Sequence, residues 1–339
     1  MSGRVEEAVF VEAPARLHFG VLDLRGTMGR WFGGIGAAAP APTLLVSASH
    51  ADELRVEGEE CMRATEFARR LLSHLQEARG GTVMPGARVR VHRALPAHSG
   101  LGSGTQLALA IARALAELHG FEADAPTMAR VMARARRSAI GTWTFAGGGL
   151  VVEGGRRVGQ DESAPLLARL PFPPSWRCVV AVPHAPPGVS GQAETRAFAQ
   201  LAPPPEGDVE RVAYLVLMAL LPALVEADIE SFGAALSEIQ EMTGRWFAPA
   251  QGGTFAPGPT ETLVRRMRQW GVRGVGQSSW GPAVYGIVDG EAAGASLAAQ
   301  VREMLGPSGH VYEGPFRSDG ARVWRAQIET EDRRLKTED

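Results

Sequence analysis

One stretch constrains this chain more than any other: residues Pro96 to Ala110, which read PAHSGLGSGTQLALA. An alternating run typical of a strand, Ala87 to Leu95, precedes it, and a run with helical spacing, Ser103 to His119, follows it. Glycines let the backbone turn sharply and leave its N–H groups uncovered, and the first turn of a helix adds unpaired N–H groups with a partial positive charge. The pattern therefore predicts a phosphate-binding loop. The alternative is an ordinary glycine- and serine-rich loop with a serine N-cap.

The spacing of the glycines excludes the two commonest nucleotide-binding loops. No Lys-Ser/Thr pair follows the last glycine, as a Walker A loop requires, and the order Gly-x-Gly-x-Gly is not the dinucleotide fingerprint. Without that lysine, phosphate must be held by backbone N–H groups and hydroxyls, with a metal ion as a further option. The predicted phosphate-binding residues are Ser99, Gly100, Leu101, Gly102, Ser103, Gly104, Thr105 and Gln106.

Length and composition narrow the class of protein. The chain has 339 residues, 45% of them hydrophobic and 21% charged, which is long enough for two domains. A net charge of −2 and the lack of a long basic patch argue against a nucleic-acid partner. The two cysteines, Cys61 and Cys178, match no zinc or redox spacing, which fits a reduced compartment. No signal peptide or membrane-length apolar run is visible, so we expect a cytoplasmic protein without a membrane partner.

The segment from Ala164 to Pro174 is irregular and contains prolines, which makes it the candidate domain boundary. We therefore predict an N-terminal domain over residues 1–165, a C-terminal domain over residues 166–328 and a charged tail over residues 329–339. Within the first domain, Pro126 to Arg137 has the spacing of a helix.

A second glycine-rich segment, Gly26 to Ala39, carries five glycines and is predicted to be a loop that borders a site. Arg16, His18, Asp23, Arg25 and Arg30 cluster around it in sequence. Arginine suits bidentate binding of phosphate or carboxylate, and His18 alternates with apolar neighbours and could face the site. Asp23 could hold Mg²⁺ (with Ser103), orient the histidine, or only cap a turn. The alternative is a set of solvated arginines and a packed histidine.

Two later glycine-rich stretches could form further walls of the same site: Ser138 to Gly149 and Gly276 to Pro282. Each could instead be a tight turn between core elements. The predicted substrate-pocket residues are Arg30, Gly33, Gly34, Ser138, Gly141, Thr142, Gly276, Gln277, Ser278 and Ser279.

Taken in this order, the motifs resemble those of the GHMP kinase superfamily. PAHSGLGSGTQ is similar to its central Pro-x-x-x-Gly-Leu-Gly-Ser-Ser motif, and GVGQSSWGPAVYGIV is similar to its C-terminal glycine motif. Within the superfamily, the chain most resembles the β-ribofuranosylaminobenzene 5′-phosphate synthases. The matching segments are PARLHFGVLDLRGTMGRWFGGIG, SGLGSGTQLALAIA, RSAIGTWTFAGGG, LPALVEADIESFGAALSEIQ and GQSSWGPAVYGIV.

The resemblance implies a two-domain α+β fold of the GHMP kinase type. Its N-terminal domain would carry a left-handed βαβ crossover and the phosphate loop, and its C-terminal domain would be ferredoxin-like. Left-handed crossovers are exceptional, so the handedness follows from the resemblance alone. A homodimer is a further expectation that comes from the family.

The resemblance also implies an activity. Synthases of this kind join phosphoribosyl diphosphate to a para-substituted benzoate, p-aminobenzoate or a hydroxy analogue, with loss of CO₂ and diphosphate, in methanopterin biosynthesis. Magnesium would accompany the diphosphate as cofactor. In this chain Arg16 would hold the benzoate or the ribose phosphate, His18 would handle a proton, and Asp23 would hold the metal or orient His18.

The chain departs from the kinase pattern at one informative position. Many superfamily kinases carry a catalytic acid in a Gly-x-Asp sequence after the central helix, whereas this chain reads Gly141-Thr142-Trp143. The departure weakens the alternative of an ATP-dependent small-molecule kinase without excluding it, because some superfamily kinases lack that acid. A non-catalytic ligand-binding protein on the same fold is the third possibility.

Overall fold

Two long antiparallel strands, β1 (Arg4–Asp23) and β2 (Arg30–Ala51), form the centre of the larger of two sheets. The structure, a computed structural model, describes residues 4–81, 84–160, 162–189 and 191–330. The larger sheet has eight strands, with the order β12-β1-β2-β4-β3, with β5 and β6 paired to β2 and with β7 paired to β5. Its other strands are β3 (Arg55–Gly58), β4 (Gly86–Arg93), β5 (Leu150–Glu153), β6 (Arg156–Arg157), β7 (Leu166–Leu170) and β12 (Arg322–Thr330).

The prediction of a loop over Gly26 to Ala39 is wrong from Arg30 onward, because strand β2 occupies that part of the segment. Only residues up to Gly29 form a turn, and the strand begins at Arg30. The glycines are needed inside the strand because neighbours approach closely: a Cβ at Gly36 would lie 2.3 Å from the carbonyl oxygen of Leu17 and 2.4 Å from Ile140. Glycine thus marks a crowded strand here rather than a loop.

Helix α2 (Ser103–His119) is the central helix of the first half, because it packs against both β1 and β2. Most of its residues are buried, including the fully buried Leu109 and Ile111. The strands β3 and β4 run parallel and are joined through a helix, which makes a βαβ unit; its handedness stays a prediction. The neighbouring helices are α1 (Cys61–Ala78), α3 (Ala125–Val131) and α4 (Ile140–Gly147).

The smaller sheet has four antiparallel strands in the order β11-β8-β10-β9. They are β8 (Trp176–Val182), β9 (Gly274–Gln277), β10 (Val284–Asp289) and β11 (His310–Pro315). The helices of this half are α5 (Gly191–Gln200), α6 (Glu206–Leu215), α7 (Leu221–Val225), α8 (Ile229–Gln251), α9 (Pro259–Gln269) and α10 (Glu291–Leu305). Val216–Leu220 forms a π-helical turn between α6 and α7, and Gly306–Ser308 a 3₁₀ turn after α10. The order and connections of the strands are those of the ferredoxin-like arrangement.

Alternate residues of β8 face two hydrophobic clusters. Cys178 and Val180 join the large core shared with the first half, whereas Val179 and Ala181 join a second cluster against α9 and α10. This two-residue period is that of a strand buried on both faces. The smaller sheet is therefore packed on both sides.

Two strands that follow residue 165 belong to the larger sheet. Strand β7 pairs with β5, and β12 pairs with β1. The chain thus leaves the larger sheet at β8 and returns to it with its last described strand. The predicted boundary after residue 165 does not coincide with this division between sheets, and the boundary itself stays a prediction. Residues 329 and 330 of the predicted tail over 329–339 belong to β12. The rest of that tail lies outside the described residues.

In the described part of the chain, none of the helices combines the length and the apolar character that a membrane crossing requires.

Candidate active site

The predicted phosphate loop makes two sharp turns before α2. Gly100 and Gly102 have φ angles of +83° and +75°, in the left-handed region that favours glycine. A Cβ at Gly100 would lie 2.2 Å from the carbonyl oxygen of Ser278, so side chains are excluded there. Gly102 is the N-cap of α2 and has no side chain to cover the first turn. The amides of that turn are therefore presented to the space in front of the helix.

Strand β1 and the motif after β9 hold this loop from behind. The Ser278 hydroxyl donates a hydrogen bond to the carbonyl oxygen of Gly100 and accepts one from the backbone N–H of His18. The N–H of Arg16 donates to the carbonyl oxygen of Leu101 at 3.0 Å. The N–H of Ser279 donates to the carbonyl oxygen of His18 at 3.3 Å. These bonds bring the first and third glycine-rich stretches to the phosphate loop.

A cavity of about 480 Å³ lies against the loop and the first turn of α2. Two guanidinium groups from other elements cover that turn: a Cβ at Gly104 would lie 2.2 Å from Nη2 of Arg134 and 2.8 Å from Nη2 of Arg63. Five arginines line the cavity, namely Arg16, Arg63, Arg134, Arg136 and Arg137. We call this set the arginine cluster.

Burial makes the positive charges of the arginine cluster costly, and Glu194 is the one acid among the described lining residues that offsets them. Burial lowers the pKa of Arg16 to about 10. Burial also lowers the pKa of Arg134, and the nearby charges of Arg63 and Arg137 lower it further. Arginine stays protonated at neutral pH, so a polyanion would offset the lost hydration of both guanidinium groups and the repulsion of Arg134 by Arg63 and Arg137.

His18 faces the cavity from β1 as a neutral ring. Its side chain is 6% exposed, and burial followed by the charge of Arg16 lowers its pKa to about 3. The imidazole is therefore uncharged throughout the physiological pH range and can accept a hydrogen bond at one ring nitrogen.

Glu153, at the end of β5, is fully buried, and its carboxyl and the His18 ring both lie close to Gly34. A Cβ at Gly34 would lie 3.3 Å from Oε1 of Glu153 and 3.4 Å from Nε2 of His18. The carboxyl accepts hydrogen bonds from the backbone N–H groups of Ala139 and Gly155, at 3.3 and 3.1 Å. Burial nevertheless raises its pKa to about 7. The sequence analysis missed this residue, whose only signal is a charge after three apolar residues in a short strand.

Comparison with known proteins identifies the family. The family model described as GHMP kinases N terminal domain matches residues 66–148, and the model described as GHMP kinases C terminal matches residues 220–306. A β-ribofuranosylphenol 5′-phosphate synthase from Methanothermobacter thermautotrophicus is 34% identical over 327 residues, which cover 90% of this chain and 96% of that protein. The chain belongs to this synthase family within the GHMP kinases.

Two further comparisons agree with that assignment. A family member of the same description from Archaeoglobus fulgidus is 34% identical over 312 residues, covering 88% of this chain and 93% of its own. A solved homoserine kinase from Cytophaga hutchinsonii superposes with a TM-score of 0.65 at 16% identity, covering 94% of this chain and 97% of the kinase. The second match shows the fold alone. The two-domain α+β fold of the GHMP kinases is thereby confirmed.

Of the site residues predicted for this synthase-family chain, about half come together at the cavity. They are Arg16, His18, Gly33, Ser99, Gly100, Gly102, Ser103, Gly104, Thr105, Ser138 and Ser279. Their catalytic and binding roles stay predictions.

The other predicted residues are engaged elsewhere and do not line the cavity. Gln106 is buried and donates from Nε2 to the carbonyl oxygen of Gly141, which joins α2 to α4. Thr142 is fully buried. Arg30 donates from Nη1 to the carbonyl oxygen of Gly155 at 2.9 Å. The remaining ones are Asp23, Gly34, Leu101, Gly141, Gly276, Gln277 and Ser278.

Among these, the residues of the third motif support the site rather than face it. Gln277 receives a hydrogen bond at Oε1 from the N–H of Ala256 and donates from Nε2 to the carbonyl oxygen of Ser279. A Cβ at Gly276 would lie 2.5 Å from the side chains of Gln240 and Tyr285. These residues hold β9 in place behind His18.

The potential metal ligands near the cavity do not suit a magnesium ion held by protein groups alone. Oδ1 of Asp23 accepts hydrogen bonds from the N–H groups of Arg25 and Gly26, so this carboxylate caps a turn. Ser103 lines the cavity, but its hydroxyl is a single neutral ligand, and Mg²⁺ prefers carboxylates together with substrate phosphates. Within the described ranges, no group of three or more His, Cys, Asp or Glu side chains could hold a metal. The pairing of Asp23 with Ser103 as metal ligands is not supported by their placement.

The arginines of the turn after α3 were missed because the predicted helix over Pro126 to Arg137 is too long. Helix α3 ends at Val131, and Ala133 and Ala135 have φ angles of +53° and +58°. These turns direct the following arginines towards the first turn of α2. The signal in the sequence was the basic run ARARR at residues 133–137.

Proposed function

We propose that the chain joins phosphoribosyl diphosphate to a para-substituted benzoate, with release of CO₂ and diphosphate. The observation that carries this proposal is the arginine cluster placed over the amides of the first turn of α2. The sugar substrate has a diphosphate at one end and a phosphate at the other, and arginine and helix N-termini are the groups that bind such anions. The name of the relatives, which specifies a phenol product, favours p-hydroxybenzoate over p-aminobenzoate as the second substrate.

The reaction balances without a proton taken from the ring. The C–O bond between the ribose C1 and diphosphate breaks, and the ring carbon that bears the carboxylate forms a bond to C1. The C–C bond to the carboxylate then breaks, CO₂ leaves, and its electron pair restores the aromatic ring. The charge that develops is on the departing diphosphate, and preorganised donors at that position are commonly the largest catalytic contribution.

The residues of the cavity have matching tasks in this proposal. Arg16, Arg63 and Arg134 stabilise the diphosphate as it leaves, together with the amides of α2. His18, which is neutral, accepts a hydrogen bond from the para hydroxyl or amino group, which increases electron donation into the ring. Magnesium enters bound to the diphosphate as part of the substrate. A role in methanopterin synthesis, a homodimer and a cytoplasmic location are further parts of the proposal.

An ATP-dependent kinase is the alternative for the same anion site. Against it stands the lack of a free carboxylate at the cavity: among the described lining residues the one acid is Glu194, which pairs with Arg137 and accepts a hydrogen bond from Trp280. A general base for phosphoryl transfer is therefore not at hand there.

Carboxyl-labelled benzoates separate these functions. Purified protein is incubated with Mg²⁺, phosphoribosyl diphosphate and p-hydroxybenzoate or p-aminobenzoate labelled at the carboxyl carbon. We expect labelled CO₂ and diphosphate in equal amounts, only when both substrates are present. ADP formation from Mg-ATP without CO₂ would instead identify a kinase, and ligand binding without turnover would identify a non-catalytic binding protein.

A further inference from the structure

One side of the cavity is aromatic. Phe32, Phe198, Phe247 and Trp280 all line it, and they come from β2, α5, α8 and the segment after β9. We call these four residues the aromatic wall. Four separate elements thus contribute one ring each to the space that the arginine cluster also lines.

The rings of the aromatic wall are fixed by one another. Phe247 and Trp280 stack with centroids 4.3 Å apart and planes 12° apart. Phe198 meets three rings edge-on, with centroid distances of 5.3 Å to Phe32, 5.6 Å to Phe247 and 5.4 Å to Trp280. Such edge-to-face contacts set the orientation of a ring as well as its position.

The wall offers ring faces and edges rather than hydrogen bonds. The only polar atom of its side chains, Nε1 of Trp280, already donates to Oε1 of Glu194 at 3.0 Å. Trp280 and Phe247 are each 4% exposed, whereas Phe198 is half-buried and in contact with both the cavity and the other rings. The phosphate groups of the sugar substrate find no hydrogen-bond donor on such a surface, whereas a flat aromatic molecule can stack on it.

The position of Phe198 links the two sides of the cavity. The guanidinium carbon of Arg137 lies 6.0 Å from the centre of its ring, and the same guanidinium pairs with Glu194 on α5. An aromatic ligand against Phe198 would therefore lie beside the arginine cluster, where its ring carbon can meet the sugar.

We propose that the aromatic wall binds the arene substrate and that Phe198 is the residue that selects a planar ring over an aliphatic one of the same charge. The inference rests on the proposed function, because it assigns the second substrate of that reaction to one part of the cavity. The proposal also explains why one cavity has both an aromatic wall and an arginine cluster, because each would bind one of the two substrates.

Binding and kinetics test the proposal together. Wild-type protein is titrated calorimetrically with p-hydroxybenzoate and with cyclohexanecarboxylate, which has the same charge but no aromatic ring. We expect at least tenfold tighter binding of the benzoate. In Phe198→Leu, the benzoate affinity should fall about threefold to tenfold, and the KM for the benzoate should rise by the same factor, while the KM for phosphoribosyl diphosphate stays unchanged. Phe198→Tyr keeps the ring and should restore the affinity.

The matched control is Phe121→Leu, a half-buried phenylalanine whose ring contacts Arg79 at 4.6 Å, outside the cavity. It should leave both KM values unchanged. An unaltered benzoate KM in an active Phe198→Leu protein would overturn the proposal while the synthase function stands. A wild-type protein that binds benzoate but forms no CO₂ would overturn the synthase function alone. If Phe198→Leu does not fold, the wild-type comparison decides: equal affinity for the two carboxylates overturns the proposal.

Discussion

The side-chain hydroxyl of Ser278 donates a 2.7 Å hydrogen bond to the carbonyl oxygen of Gly100. The two residues are 178 positions apart, and the same hydroxyl accepts a bond from the N–H of His18. One fully buried side chain therefore positions the phosphate loop and the strand that carries His18 relative to each other.

Replacing that hydroxyl should weaken both the fold and anion binding. In Ser278→Ala, the buried N–H of His18 loses its acceptor, which should cost about 1–3 kcal/mol of unfolding free energy. Diphosphate affinity should fall severalfold because the loop loses one of its fixed points. Urea unfolding and calorimetry measure the two effects, with the exposed Ser296→Ala as control, expected to stay within about 0.5 kcal/mol. A loss of stability with unchanged diphosphate affinity would show that Ser278 does not position the loop.

Two glycines of the loop should respond differently to alanine. At Gly100 a Cβ would meet the backbone of Ser278, and the φ angle is positive, so Gly100→Ala should destabilise the protein by about 2 kcal/mol or more. At Gly104 a Cβ would meet only the mobile ends of Arg63 and Arg134. Gly104→Ala should therefore keep the stability of the wild type but weaken diphosphate binding by displacing the two guanidinium groups.

Thermal unfolding and diphosphate titration distinguish the two variants. Gly207→Ala is the control, because a Cβ there meets nothing within 4 Å and the residue lies in α6. Equal diphosphate affinity in Gly104→Ala and the wild type would contradict the placement of the arginines over this turn.

Arg134 should contribute to binding at the expense of stability. Because it is buried beside Arg63 and Arg137, Arg134→Gln should leave the unfolding free energy unchanged or raise it by up to about 1 kcal/mol. Diphosphate affinity should fall about tenfold or more, the loss expected for a charged hydrogen-bond partner. Diphosphate titrations at two salt concentrations measure this loss of affinity, with Arg130→Gln at an exposed position as control. A lower stability without a change in affinity would assign Arg134 a structural task.

Glu153 should make stability depend on pH in a predictable direction. Its pKa of about 7 lies above the ordinary value of 4.5, so the folded state holds the proton more tightly than the unfolded state. Its contribution to stability is present below about pH 4.5 and is lost as the pH rises to about 7. Glu153→Gln does not titrate, so the stability of the variant relative to the wild type should increase by up to about 3 kcal/mol over that range.

Denaturant unfolding at intervals of one pH unit measures this difference, and the rest of the titration cancels because it is common to both proteins. The amide of Glu153→Gln places an N–H group against one of the two backbone N–H donors, which costs stability at every pH. This constant cost shifts the plot of the stability difference against pH without changing its slope. Glu303→Gln, at an exposed position of α10, is the control and should give a flat difference. A flat difference for Glu153→Gln as well would contradict a raised pKa.

The phosphate loop could be predicted from the sequence because its requirements are local. Gly100 and Gly102 must adopt positive φ angles, and the helix that follows has a clear period, so a few adjacent residues contain the information. The family resemblance supplied the ferredoxin-like half, in which a long helical segment separates β8 from β9 and the order of the strands does not show in the sequence.

The chemical environment of the site could not be predicted in the same way. Gln106 looks like a phosphate ligand in the sequence, but its side chain bonds to α4, which only the packing of two helices reveals. Asp23 looks like a metal ligand in the sequence, but its carboxylate accepts a hydrogen bond from the backbone of its own turn. Arg134 reaches the site because α3 stops early, and Glu153 matters because other elements bury it. Such partners depend on tertiary contacts rather than on spacing.

Strand β12 has a consequence for how the protein is made. Residues 4–12 pair with residues 322–330, so the outer edge of the first strand has no neighbour until more than 300 further residues have been synthesised. The nascent chain therefore exposes an open sheet edge, of the kind that recruits strands from other molecules, until β12 has been synthesised. Slow elongation or termination before β12 would prolong that exposure, and a chaperone that shields β1 during synthesis would shorten it.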